Sequence, residues 1–171
     1  MDVVGINHVI THTKEGKRSM TVKEPIFIVS LHRTGSTLLK NILNANSKVV
    51  MLPDEIHIWN PYPWAHDIYN ISKKYDLSSV DGINKFIDVL FSKKLYGGFW
   101  KKIDKYSVDK ETLLTEARKY NKLNYVDIIN IIFKLYMERT QKERVGAKNP
   151  VYLGGIRLLL RWFPSCKIIY L

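Results

Sequence analysis

Residues 25–39 read Pro25-Ile26-Phe27-Ile28-Val29-Ser30-Leu31-His32-Arg33-Thr34-Gly35-Ser36-Thr37-Leu38-Leu39, and the rest of the chain is arranged around them. Pro25–Val29 is a short, β-branched apolar run, bounded by proline on one side and by the turn residues Ser30–Ser36 on the other. It predicts a buried parallel strand. Thr37–Asn44 follows with Leu38, Leu39, Ile42 and Leu43 at helical spacing, and Asn44 or Asn46 can end that helix. A strand that turns sharply into a helix leaves the first helical N–H groups unpaired at the positive end of the helix dipole. Such a helix start binds phosphate-like anions. Gly35 lets the backbone come close to an anion, and Ser36 and Thr37 add hydroxyl donors.

Outward from this segment, Lys48–Leu52 predicts a second strand, stopped by Pro53. Four helices are expected next, over Trp64–Tyr75, Ser79–Leu95, Asp109–Tyr120 and Asn124–Gln141. Ser78 or Ser79 can cap the second, whose Val80, Ile83, Ile87, Leu90 and Phe91 share one face. Arg144–Lys148 reads as a short extended link. Pro150–Trp162 reads as a helix with proline in its first turn, and Lys167–Leu171 as a third strand. Residues 1–24 are irregular, with at most a short strand at Val3–Ile10. The order is strand, helix, strand, several helices, helix, strand, which argues for an α/β parallel sheet with an inserted helical region. The last strand runs to Leu171, so residues 25–171 read as one domain truncated at its C-terminal end, or else as ending on a short edge strand.

Length and composition bound the alternatives. The chain has 171 residues, 46% hydrophobic and 25% charged, which suits one globular domain. No apolar run is long enough for a membrane span. The N-terminal residues have the wrong order of basic and apolar residues for a secretory signal, and Cys166 stands alone, so a reducing, cytoplasmic setting is expected. There are 27 Lys+Arg against 16 Asp+Glu, a formal net charge of +11. That excess favours anionic partners. The basic residues are spread along the chain without a run of five or an aromatic stripe, which weakens the nucleic-acid reading and leaves anionic lipid, a phosphorylated small molecule or a plain solvated surface.

Set against the ATP-binding pattern G-x-x-x-x-G-K-[ST], Gly35 takes the second glycine, Ser30 the first and Thr37 the final hydroxyl. Ser36 then stands where the phosphate-gripping lysine belongs, so the loop is a poor fit to ATP or GTP hydrolysis. A cation sits elsewhere in the loop, at Arg33.

The string Phe27-Ile28-Val29-Ser30, then Arg33-Thr34-Gly35-Ser36-Thr37-Leu38, resembles the 5′-phosphosulfate loop of the sulfotransferase family, which uses 3′-phosphoadenosine 5′-phosphosulfate (PAPS) as donor. Asp54 and Glu55 resemble the acidic position that follows the first helix in that family, Glu55 being the better match. Lys148-Asn149-Pro150, then Phe163-Pro164, then Lys167–Leu171 resemble a later Lys-x-Pro element and the strand after it. The resemblance implies a P-loop NTPase-like, three-layer fold. It implies transfer of a sulfuryl group to a hydroxyl on a sugar, tyrosyl, lipid or small-alcohol acceptor, with no metal. Thr34, Gly35, Ser36, Thr37 and Leu38 would hold the 5′-phosphate. Arg33 and Lys148 would neutralise the bridging oxygen, and Glu55 would take the acceptor proton. The family's 3′-phosphate residues would lie beyond Leu171, so a homo-oligomer or a complementing C-terminal segment could complete the site.

Each residue has a plainer reading. Arg33 and Lys148 could be surface cations, and Glu55 a salt-bridge partner, with Asp54 or His57 as the base instead. His32 could touch the donor. Trp59, Tyr62 and Trp64 could line an acceptor pocket or belong to the core. His8 and His12, four residues apart, lack a further metal ligand nearby. Two other functions fit the same loop: a degenerate kinase or NTPase, and a catalytically incomplete nucleotide-binding protein.

Overall fold

A computed structural model describes residues 21–55, 58–59, 68–92 and 108–171, with residues 54 and 55 described by their backbone alone. The elements, in chain order, are β1 (Ile26–Val29), α1 (Ser36–Ala45), β2 (Val49–Glu55), α2 (Ile68–Ser72), α3 (Val80–Leu90), α4 (Lys110–Ala117), α5 (Tyr125–Thr140), β3 (Arg144–Lys148), a 3-10 helix (Pro150–Gly155), α6 (Ile156–Trp162) and β4 (Lys167–Tyr170). The four strands form one parallel sheet in the order β2-β3-β1-β4. The chain is therefore α/β, as the strand–helix alternation predicts. The expected strand at Val3–Ile10, the start of the Trp64–Tyr75 helix and the end of the Ser79–Leu95 helix fall outside the described residues.

Two expectations change. Arg144–Lys148, read as a link, is the strand β3 and lies inside the sheet between β2 and β1. Its centre is Gly146-Ala147, too small to register as an apolar run. The small size is what the position requires, because a β-carbon at Gly146 would run into Met51 Sδ and the Ile26 carbonyl. The second strand, expected to stop at Pro53, continues to Glu55. It can do so because β2 is an edge strand and its register with β3 shifts between Met51 and Glu55, an irregularity that tolerates a missing N–H. The helix expected over Pro150–Trp162 is present but divided, 3-10 up to Gly155 and α-helical from Ile156.

The sheet is covered on both faces. Phe27 and Val29 point to the main core, where Phe27 meets Phe163 (5.3 Å between ring centroids), Tyr152 (6.0 Å, edge-on) and Phe133 (6.3 Å). Ile26, Ile28 and Met51 are buried on the other side, where α1 lies against the sheet. That helix does not bury its whole apolar stripe: Leu38 and Ile42, one turn apart, face solvent, and Leu39 and Leu43 are half-buried. The helical insertion is well capped. Ser79 accepts from the Gly82 N–H, Asp109 from that of Thr112, and Asn124 with Asp127 forms a reciprocal capping box that starts α5. From α5, buried Asn130 accepts a hydrogen bond from the Val22 N–H (3.0 Å) and so fixes the chain just before β1.

Between α4 and α5, the buried Glu116 carboxylate takes Lys134 Nζ at 3.0 Å and Lys119 Nζ at 2.5 Å. Burial would push its carboxyl up, but the bonds from Lys119 and Lys134 outweigh this and hold it below the usual range. A carboxyl depressed in the folded state stabilises the fold above its unfolded pKa, and that stabilisation is lost as pH falls through the folded value. Glu116→Gln should therefore flatten the acid side of the stability–pH curve, and urea melts from pH 7 down to pH 3 will show it. Phe27→Ala opens a cavity among three rings and should cost about 3–5 kcal/mol in the same melts.

Candidate active site

The site is built at the carboxyl ends of β1, β2 and β3, where parallel strands in an open α/β sheet present their loops to ligands. β1 ends at Val29, and Ser30–Gly35 turn the chain over into α1. Gly35 is the residue before the first helical position and sits at φ +84°, in the left-handed region that favours glycine. Arg33 is also left-handed, at φ +66°. Thr34 Oγ1 donates to the Leu31 carbonyl (3.0 Å), tying the turn across its base. The first bond of α1 runs from the Leu39 N–H to the Gly35 carbonyl (3.1 Å). The amides of Ser36, Thr37 and Leu38 therefore have no intrahelical partner, and among the described residues no side-chain cap is found at the helix start.

His32, Arg33, Thr34, Gly35, Ser36 and Thr37 line a cleft of about 440 Å³, closed on the far side by Lys148 and Pro150. Arg33 is exposed, and its guanidinium makes no hydrogen bond or ion pair among the described residues. Lys148, the last residue of β3, is only 6% exposed and reaches across to Thr37, its Nζ donating to Oγ1 at 3.4 Å. Just beyond it, the Asn149 side chain accepts from the Val151 N–H (3.1 Å) and starts the 3-10 helix, which orients Lys148 and Pro150. Glu55 ends β2 with its Cα opposite that of Lys148.

The structure thus brings Arg33, Thr34, Gly35, Ser36, Thr37 and Lys148 around one cleft, with Glu55 on the strand beside Lys148. Leu38 contributes its backbone position in the first turn, while its side chain faces solvent away from the cleft. Trp59 is half-buried against Gly155, where a β-carbon would collide with its indole ring. Tyr62, Trp64, His57, His8 and His12 lie outside the described residues. Among the described residues no three His, Cys, Asp or Glu side chains cluster. No helix among them is long and apolar enough to cross a membrane. Sequence reasoning missed Pro150 as a wall of the cleft, although its place two residues after Lys148 is the signal that could have found it.

The sheet and helices make this an α/β protein with two cations at one cleft. The chain belongs to the sulfotransferase family, whose profile matches residues 25–171. The chain is also similar to the sulfotransferase domain from the curacin biosynthetic pathway, with 22% identity and a TM-score of 0.45 over 88% of this chain. It spans about half, 47%, of that chain. No curated protein matches it.

Gly35→Ala tests the turn itself. The β-carbon would sit in open space, so any loss comes from the left-handed backbone alone, at a cost of about 1–2 kcal/mol. A thermal melt should show that loss, while a change within 0.3 °C of the parent would show that the turn does not need glycine.

Proposed function

We propose that this chain serves the 5′ end of the donor site in a sulfotransferase that moves a sulfuryl group from PAPS to a hydroxyl acceptor. The reading is carried by one observation: Arg33, Lys148 and the first helical residues Ser36 and Thr37 line one cleft, with Lys148 Nζ reaching Thr37 Oγ1. Such an arrangement suits a polyanion held along its length, and the residues present fit the phosphosulfate end of that donor.

The donor, when bound, supplies a sulfuryl group activated by its bond to phosphate. In the transfer the bridging S–O bond breaks, a bond forms between sulfur and the acceptor oxygen, and the leaving phosphate keeps the electron pair. The first-turn amides and the Ser36 and Thr37 hydroxyls would hold the phosphate in place, so that the α1 dipole opposes its growing charge. Lys148 would stabilise the bridging oxygen from the β3 side and Arg33 the sulfuryl oxygens from the loop side. Glu55 would accept the proton released by the acceptor hydroxyl. Fixing all these groups before the reaction spares the cost of arranging them during it.

Titration calorimetry with adenosine 3′,5′-bisphosphate, the donor without its sulfuryl group, tests this reading against magnesium–ATP. The bisphosphate should bind and ATP should not compete with it. Arg33→Ala should weaken binding roughly 10- to 100-fold, the range expected for losing a hydrogen bond to a charged group. The melting temperature should stay unchanged, because Arg33 is exposed. Tighter binding of magnesium–ATP, or an affinity indifferent to Arg33, would favour a nucleotide-hydrolysing or purely structural loop instead.

A further inference from the structure

Ser30 is the residue at which β1 becomes the anion loop. It is 1% exposed, and its Oγ is buried without a hydrogen-bond partner among the described residues. A buried hydroxyl left unpaired is a net cost to a fold, and a native structure that keeps one calls for a reason.

Its position points to that reason. Side chains alternate along β1, so Ser30 lies on the same face as Ile26 and Ile28, the face that α1 covers. Ile28 pairs with Lys148 in the sheet. Two residues beyond Ile28, Ser30 opens the loop whose later residues, with Lys148 and Pro150, line the cleft. On the other side the Leu31 N–H is spent on the Leu171 carbonyl (3.4 Å), and the Thr34 hydroxyl is spent on the Leu31 carbonyl. Two donors at the root of the loop are therefore engaged elsewhere.

We propose that Ser30 is a positioning residue of the anion site: its hydroxyl gains its partner only when an anion draws the loop amides into place. The bond made on loading then sets the pitch of the amides that hold the anion. This rests on the donor-site reading above and names a residue that the reading does not use.

The test compares Ser30→Ala and Ser30→Thr with the parent chain, using thermal melts without ligand and calorimetry with adenosine 3′,5′-bisphosphate. Ser30→Ala removes a group that the empty protein leaves unpaired, so its ligand-free melting temperature should equal or exceed the parent's. Its affinity should fall about three- to tenfold, the equivalent of one hydrogen bond. Ser30→Thr keeps the hydroxyl and should bind like the parent. A purely structural serine would not give a stable but weakly binding alanine variant. Affinity of Ser30→Ala within twofold of the parent, a ligand-free melt lowered by several degrees, or an equal loss in Ser30→Thr would each overturn the proposal. If the parent binds and responds to Arg33→Ala, such a result sinks Ser30 alone. If the parent does not bind the bisphosphate, the donor-site reading fails and this inference fails with it.

Discussion

Everything at this site depends on the parallel pairing of β1 with β3. In a parallel sheet the strands deliver their carboxyl ends to one edge, and the register decides which side chains stand side by side there. The Ile28–Lys148 pair places a lysine one strand over from the root of the anion loop, on the face that α1 covers. On the other side the β2–β3 pairing, past its register shift, sets Glu55 of β2 against Lys148. Three residues far apart in the chain are thus neighbours by backbone hydrogen bonding alone. The buried ring cluster under Phe27 holds that register, because sliding β1 by one residue would exchange its core face for its α1 face.

The pairing also resolves what the loop lacks. An ATP-binding loop carries its own lysine just after the second glycine, and here that position is Ser36. The structure supplies a lysine from β3 instead, with Lys148 Nζ 3.4 Å from Thr37 Oγ1. A lysine on a strand approaches the anion from the side, whereas one on the helix start would approach along the loop. The cleft therefore has cations on two flanks, Arg33 from the loop and Lys148 from the sheet. That geometry suits an anion whose charge is shared between two joined groups better than a single terminal phosphate.

Most of the site was legible in the sequence, and the reason is local. The β1-loop-α1 unit is contiguous, its apolar run, glycine and hydroxyls follow each other directly, and each signal has a backbone cause. What the sequence hid is non-local. Residues 144–148 carry an inner strand, yet Gly146 and Ala147 read as a link, because Gly146 answers to Met51 and Ile26 across the sheet, where a β-carbon would not fit, rather than to its own neighbours. Pro53 reads as a stop only if the strand is assumed to be regular and internal, and β2 is neither. Ser30 reads only as standing where the ATP-binding pattern has its first glycine, since nothing in the chain order reveals that its hydroxyl is buried without a partner among the described residues.

The two cations differ in a way that bears on how the site works. Lys148 is nearly buried, sits on a strand paired on both sides, and is followed at once by a capped 3-10 helix. Its ammonium is held in place before any ligand arrives, which is the condition under which a charge stabilises a transition state most effectively. Arg33 stands on an exposed turn in a left-handed conformation, with its guanidinium in solvent. Charge–charge attraction at such a place is screened within about 8–10 Å by salt, but it still acts on an approaching anion. In the proposed donor site the fixed lysine would suit the chemical step and the exposed arginine capture and neutralisation. A net charge of +11 spread over the chain favours the approach of anions, and under that proposal these two residues would decide where one comes to rest.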